Sequence, residues 1–294
     1  CIRRGPRAGS GTRAGARKYS IPWGAEFREP GINLHLRQAP TPLHRAVHER
    51  LERSVARADL VLVTTLEQER SLRRRYPFCR VERIPNGYDE EDFPPDADAR
   101  PPVGPMIVTH CGMLTLGRSA RPFLRGLALF KERFPRDAGD LRVRFIGARE
   151  TENEEWVKRF ALADTVVFED NLPHRECIRR ERMSHVLLLV KHDDERYRGL
   201  VPGKLFEYIG ARRPILAVGP EGEAAGIVRE LGRGETARIE APEEIAAALH
   251  RMYALHRAGK LESAYRLDEA AHFSRRSEAE RLGTLLDGLR GGRR

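Results

Sequence analysis

From residue 106 to residue 257 the chain alternates, six times over, a short apolar run with a longer stretch of helical periodicity. The runs fall at 106–111, 141–146, 165–168, 186–191, 214–218 and 236–239, and the helical stretches at 119–134, 151–163, 174–184, 202–212, 223–231 and 242–257. Val186-Leu187-Leu188-Leu189-Val190 shows no polar alternation, which predicts a strand covered on both faces. Strand and helix in regular succession predict an α/β architecture, a parallel sheet with helices on both sides. In an open sheet of that kind ligands collect beyond the carboxyl ends of the strands, where loops and helix N-termini converge.

Upstream the pattern is shorter. Ile21 to Phe27 predicts a strand, and Pro42 to Ala58 a helix whose Leu43, Val47, Leu51 and Val55 make one buried stripe. Leu60 to Val63 reads as a buried strand, Leu66 to Arg75 as a short helix, and Val81 to Ile84 as a strand before the turn Pro85-Asn86-Gly87. Pro94, Pro95, Pro101, Pro102 and Pro105 mark a linker. Residues 1–18 are rich in Gly, Ala, Ser and Arg and predict a disordered tail. Helices are expected at about 261–272 and 276–289. The expected division is a basic tail over 1–18, a small α/β segment over 19–93, a linker over 94–105, the parallel-sheet domain over 106–260, and C-terminal helices with a basic tail over 261–294.

The net charge of +10 points to nucleic acid until it is located. Residues 1–18 hold six cations and no acid, and the last five residues hold three more, so the body between them is nearly neutral. A nucleic-acid binder carries its basic footprint on a folded element. The expectation is no nucleic-acid partner. No stretch approaches the ~18 apolar residues of a membrane span. Cys1, Cys79, Cys111 and Cys177 stand apart, with no C-x-x-C pair and no histidine at metal-ligand spacing. They predict reduced thiols in a cytoplasmic protein and no metal site. His110, His174, His185 and His192 are scattered, and there is no G-x-S-x-G elbow; no catalytic residue is assigned.

Three loops at carboxyl ends of the expected strands carry suggestive residues. Gly112 to Arg118 enters a helix and reads as a phosphate approach with Arg118 adding charge, or as a plain strand–helix turn. In Pro202-Gly203-Lys204-Leu205-Phe206-Glu207-Tyr208, Pro202 suits position N1, Leu205, Phe206 and Ile209 face the sheet, and Lys204 and Glu207 share a neighbouring face. A carboxylate there suits a ribose diol and the ammonium a diphosphate; an ordinary ion pair fits the spacing equally well. Lys204 is one of six lysines in the whole chain. Gly219 to Ala225 reads chiefly as a turn with acids at a helix N-terminus.

Together these segments resemble the GT-B-fold glycosyltransferases, in particular the retaining GT4-like group (glycosyl transferase family 1). The likeness rests on Ala58-Asp59-Leu60-Val61-Leu62-Val63, on Ile84-Pro85-Asn86-Gly87-Tyr88-Asp89 with Phe93, on the Gly112–Arg118 loop, and on Pro202 to Tyr208 running to Pro214-Ile215-Leu216. It implies two Rossmann-like halves, of which the C-terminal one is complete. Its implied reaction transfers a sugar from a nucleoside-diphosphate sugar to a hydroxyl acceptor (a glycan, a lipid-linked sugar or a small molecule) with retention. It implies no cofactor and no obligatory metal, and at most weak peripheral contact with the inner face of the membrane. By resemblance, Glu207 matches the second acid of the family's E-x7-E motif, which binds the donor ribose. Lys204 and Arg118 look like the basic residues that hold the donor diphosphate, with the Gly112 loop beneath the sugar-phosphate. The first acid would fall at Gly199, and Glu195 is out of register. Between Tyr19 and Phe93 lie 75 residues, where such halves run to ~100–150. The resemblance therefore implies a partial acceptor-side half, either N-terminally truncated or degenerate. Two other readings stay open: a non-catalytic nucleotide-sugar-binding remnant, and a GT-B nucleotide-sugar epimerase.

Overall fold

The computed structural model describes residues 22–28, 41–55, 57–94, 99–114, 118–147, 150–192, 194, 197–268 and 270–291. The expected tail over 1–18 and Glu195 lie outside them. The chain divides into two units. Residues up to Asn86 with those from Arg276 onward form one, and Gly87–Arg275 forms the other. Tyr88 and Phe93, placed by the sequence with the upstream segment, thus belong to the second unit.

In the first unit, β1 (Gly24–Phe27), β2 (Leu60–Val63) and β3 (Val81–Arg83) form a three-stranded parallel sheet in that order. α1 (Pro42–Val55) and α2 (Leu66–Arg75) precede β2 and β3. Thr65 caps α2 reciprocally with Gln68: the Gln68 N–H donates to the Thr65 hydroxyl at 3.3 Å, and the Thr65 N–H donates to the Gln68 side-chain oxygen at 3.2 Å. One expectation fails here. Of the α1 stripe only Val55 is buried, while Leu43 and Val47 are 71% and 58% exposed and Leu51 is exposed too. Strands of three or four residues span at most ~13 Å, whereas a 14-residue helix runs ~21 Å. So short a sheet cannot cover so long a helix.

The second unit is the predicted α/β domain. Its strands are β4 (Met106–Cys111), β5 (Leu141–Ile146), β6 (Val166–Glu169), β7 (Val186–Val190), β8 (Ile215–Val218) and β9 (Gly234–Ala237). All pair in parallel, in the spatial order β6-β5-β4-β7-β8-β9. Between them run α3 (Arg121–Arg133), α4 (Pro135–Gly139), α5 (Thr151–Arg159), α6 (His174–Arg182), α7 (Gly203–Gly210) and α8 (Glu223–Glu230), with α9 (Pro242–Arg257) after β9. The expected helix over 119–134 ends at Arg133 because Pro135 cannot continue it. β7 shows why its sequence is apolar throughout. Val186, Leu188 and Val190 join the core under α3 and α9, while Leu187 and Leu189 join Leu205, Phe206 and Ile209 of α7 on the opposite face. Leu205, Phe206 and Ile209 are buried, as their spacing predicts.

Among the described residues, the helix expected over 261–272 does not form. Residues 261–265 form turns, followed only by a short 3₁₀ segment at Ala271–Phe273. Distant partners take the backbone instead: the Arg266 N–H bonds the Gly232 carbonyl and the Tyr88 N–H the Phe273 carbonyl, each at 2.9 Å. The final helix, α10 (Arg275–Gly291), is present as expected. Among the described residues, no helix is long and apolar enough to cross a membrane.

Candidate functional site

The order β6-β5-β4-β7-β8-β9 reverses direction between β4 and β7, and such a switch point opens a crevice at the carboxyl ends of the two strands. Here β4 and β7 pair only at Val108–Val186 and Thr109–Leu187. Beyond that they part, and side chains replace the ladder. The Cys111 N–H donates to the Tyr208 hydroxyl at 3.1 Å, and that hydroxyl donates to the Leu188 carbonyl at 3.3 Å. His110 Nδ1 lies 2.9 Å from the same carbonyl, which can only accept, so Nδ1 carries the proton. Burial holds His110 down, to about 4, with Arg118 and Lys204 also disfavouring its charge. It is a neutral spacer between the parted strands.

The two loops that flank this point are the Gly112 loop after β4 and the segment leading into α7 after β7. Of the first, Gly112, Met113, Leu114 and Arg118 are described. Gly112 has φ +119°, a value that favours glycine, and a Cβ there would sit 3.9 Å from Lys204 Cε. Gly112 and Lys204 are therefore brought together, and Arg118 is close enough to add its field to that of Lys204 at His110. Pro202 stands at the N-cap position of α7, which begins at Gly203, one residue later than expected. A Cβ on Gly203 would meet nothing within 4 Å, so the N-terminal turn is open to a ligand.

Lys204 and Glu207 face each other across one turn of α7, Nζ to Oε2 at 2.7 Å, both about a quarter exposed. The two residues expected to grip a diphosphate and a ribose hold each other. A third ionisable group comes from α6: Glu181, fully buried, lies 3.5 Å from Lys204 Nζ through Oε1. Burial works against the Lys204 ammonium, yet Glu181 and Glu207 outweigh it and hold its pKa above the ordinary lysine value. Burial pushes the Glu181 carboxyl up to about 8, against the pull of Lys204 and with the repulsion of Glu207 and Cys177.

Cys111 and Cys177, 66 positions apart, also meet here. The Cys111 thiol hydrogen-bonds Cys177, which lowers the Cys177 pKa and raises that of Cys111, where burial acts in the same direction. Sequence reasoning missed Glu181 and gave Tyr208 no role. Glu181 lies in His174-Arg175-Glu176-Cys177-Ile178-Arg179-Arg180-Glu181-Arg182, which reads as a solvated helix. Tyr208 had a visible signal, a tyrosine beside Glu207 on the best-marked helix.

The third loop is structural. A Cβ on Gly219 would sit 2.7 Å from Lys191 Cβ, and one on Gly222 would collide with the Arg198 carbonyl. The glycines make room for protein. Lys191 is buried and donates to the carbonyls of Tyr197 and Arg198, at 3.2 Å each, propping the segment that leads into α7. Gly210 does the same at the far end of α7, where a Cβ would sit 2.6 Å from Phe93 and 2.9 Å from Tyr88. Among the described residues, no group of three or more His, Cys, Asp or Glu side chains is placed to hold a metal ion.

No family model and no curated protein matches the sequence. Solved structures do match. Sucrose-phosphate synthase from Thermosynechococcus elongatus superposes with TM-score 0.70 at 19% identity, over 97% of this chain and 72% of that one. The fold is of the GT-B type. An α,α-trehalose-phosphate synthase (UDP-forming) from Burkholderia vietnamiensis gives TM-score 0.64 at 16% identity, over 92% of this chain and 69% of that one. The pneumococcal O-GlcNAc transferase GtfA, solved with UDP and GlcNAc, gives 0.60 at 13%, over 83% of this chain. This chain spans about half of GtfA, 48% of its length.

Proposed function

We propose that the second unit binds a nucleoside-diphosphate sugar at the β4–β7 switch point and that the protein is a retaining glycosyltransferase of the GT4-like kind. The observation that carries this reading is the Lys204–Glu207 pair at the head of α7, beside Gly112. Diphosphate and ribose lie one bond apart in every nucleoside diphosphate, and an ammonium and a carboxylate one helical turn apart match that sequence of groups. Binding exchanges one ion pair for two ligand contacts. Lys204 leaves Glu207 for the diphosphate, and Glu207 turns to the ribose hydroxyls. Arg118 and the open N-terminal turn of α7 add positive potential. As the bond from the anomeric carbon to the diphosphate breaks, charge grows on the leaving oxygen, and fixed cations stabilise it. In this reading, Lys204 and Arg118 perform the neutralisation without an obligatory metal. UDP in the GtfA crystals and the UDP-forming trehalose-phosphate synthase make a uridine diphosphate the first donor to try.

Calorimetric titration with UDP and GDP tests the reading. One of the two binds the wild-type chain, and Glu207→Ala weakens it at least ~10-fold, or ~1.4 kcal/mol. Silence with both nucleotides removes the donor site; unchanged affinity in Glu207→Ala removes the ribose role. Release of UDP from a UDP-sugar in the presence of a hydroxyl acceptor then separates a transferase from a binding remnant.

A further inference from the structure

Glu181 does not belong on a helix packed into a core. It is fully buried, and neither carboxylate oxygen meets a hydrogen-bond partner in good geometry. An uncompensated buried carboxylate is costly, and the ordinary remedies are a cation or a proton. The cation at hand is Lys204, at 3.5 Å, but Lys204 is already engaged at 2.7 Å by Glu207. Two acids share one ammonium.

We propose that Glu181 is a positioning residue that competes with the donor diphosphate for Lys204, so that the site fills only when Glu181 carries a proton. The inference rests on the donor reading above and deepens it. Neutral Glu181 leaves the ammonium to the phosphate oxygens. Ionised Glu181 draws Lys204 back beneath the Gly112 loop, and a diphosphate arriving there would set two further negative charges against a buried carboxylate. Filling the site above the ionisation of Glu181 therefore takes up one proton.

The groups facing Glu181 leave it as the titrating member. From α7 come Lys204, Glu207 and Tyr208, from β4 Cys111, and from its own helix Cys177. Against the effect of burial, two acids hold Lys204 well above the range in question. Burial does the same for Tyr208, and the hydrogen bond to Cys177 does so for Cys111, while Cys177 titrates below that range. Burial sets Glu181 itself at about 8. A terminal phosphate loses its second proton near ~6 and the uracil ring N–H keeps its proton well past pH ~8, so UDP holds an essentially constant charge between pH 7 and 8.5.

The experiment is calorimetric titration of the full chain with UDP from pH 7 to 8.5, on wild type and Glu181→Gln. If only the protonated form binds, wild-type affinity falls about 4-fold across that range. Glu181→Gln, which copies the protonated carboxyl, binds with flat affinity. A second measurement needs no variant: in two buffers of different ionisation enthalpy at pH 8.5, wild type takes up most of one proton per UDP. Flat wild-type affinity, absent proton uptake, or a slope that survives in Glu181→Gln overturns the competition while leaving the donor site intact. Failure of UDP to bind at every pH, in both proteins, overturns the donor site and this inference with it.

Discussion

Lys204 and Glu207 were legible because helical spacing is a local rule: residues three apart share a face wherever the helix sits. What their spacing left open was whether the pair has anything to do beyond itself. The fold adds neighbours that spacing could not name, Gly112 beside Lys204 Cε and Glu181 at 3.5 Å from its ammonium. Tyr208 is the clearest residue-scale test of how the crevice is held open. Its hydroxyl stands in for a missing rung between β4 and β7. Tyr208→Phe strands the Cys111 N–H, a buried donor, and is expected to cost about 1–3 kcal/mol in urea denaturation. A loss below a few tenths would mean that the hydroxyl does not bridge the strands.

Helices and strands were read well where the core decides them and poorly where it does not. β7, with apolar neighbours on both faces, fell within one residue of its expected span. The α1 stripe looked the same on paper, but only burial makes a stripe meaningful, and the small sheet does not supply it. Residues 261–272 have helical composition, yet Gly232 and Tyr88 capture their neighbourhood through backbone bonds no periodicity encodes. Close approach between helices gives the element-scale prediction. A Cβ at Gly126 of α3 would sit 2.5 Å from Ile245 Cβ and Cγ2 of α9, and 3.2 Å from the Pro242 carbonyl. Branched carbons and backbone cannot swing aside, so the helices must separate. Gly126→Ala is expected to lower stability by about 1–3 kcal/mol by denaturant midpoint; a neutral effect would show that α3 and α9 slide freely.

For the molecule as a whole, buried ionisable groups set the pH range of stability. His110 and His185 are held by burial at about 4, below the unfolded value of 6.5, so the unfolded chain binds more protons and stability is lost on acidification from 6.5 to 4. Glu181 acts in the opposite sense. Its native pKa of about 8 exceeds the unfolded 4.5, so the stability it lends at low pH drains away between 4.5 and 8, by at most ~1.4 kcal/mol per unit. Between 4.5 and 6.5 the two histidines outweigh the one acid; from 6.5 to 8 the acid is offset by Cys177, whose thiol is held at about 6, below the unfolded 9, so that the unfolded chain binds the extra proton there. The thermal midpoint should rise from pH 4.5 to 6.5 and level off up to pH 8 by scanning calorimetry, and Glu181→Gln should turn that plateau into a continued rise. A wild-type midpoint still rising from pH 6.5 to 8 would contradict the protonated, buried state of Glu181.

By itself the sequence determined the alternation of strand and helix, the crevice end of the sheet, and the two charged residues at the head of one helix. Each depends on hydrophobic period or on neighbours within a turn. Tertiary structure alone decided which strands stand beside the reversal, which buried acid shares Lys204, and which cysteines meet. Those pairings join residues far apart in the chain, such as Glu181 with Lys204 and Cys111 with Cys177. Only the folding of the sheet brings such groups within reach, and only burial makes their charges compete.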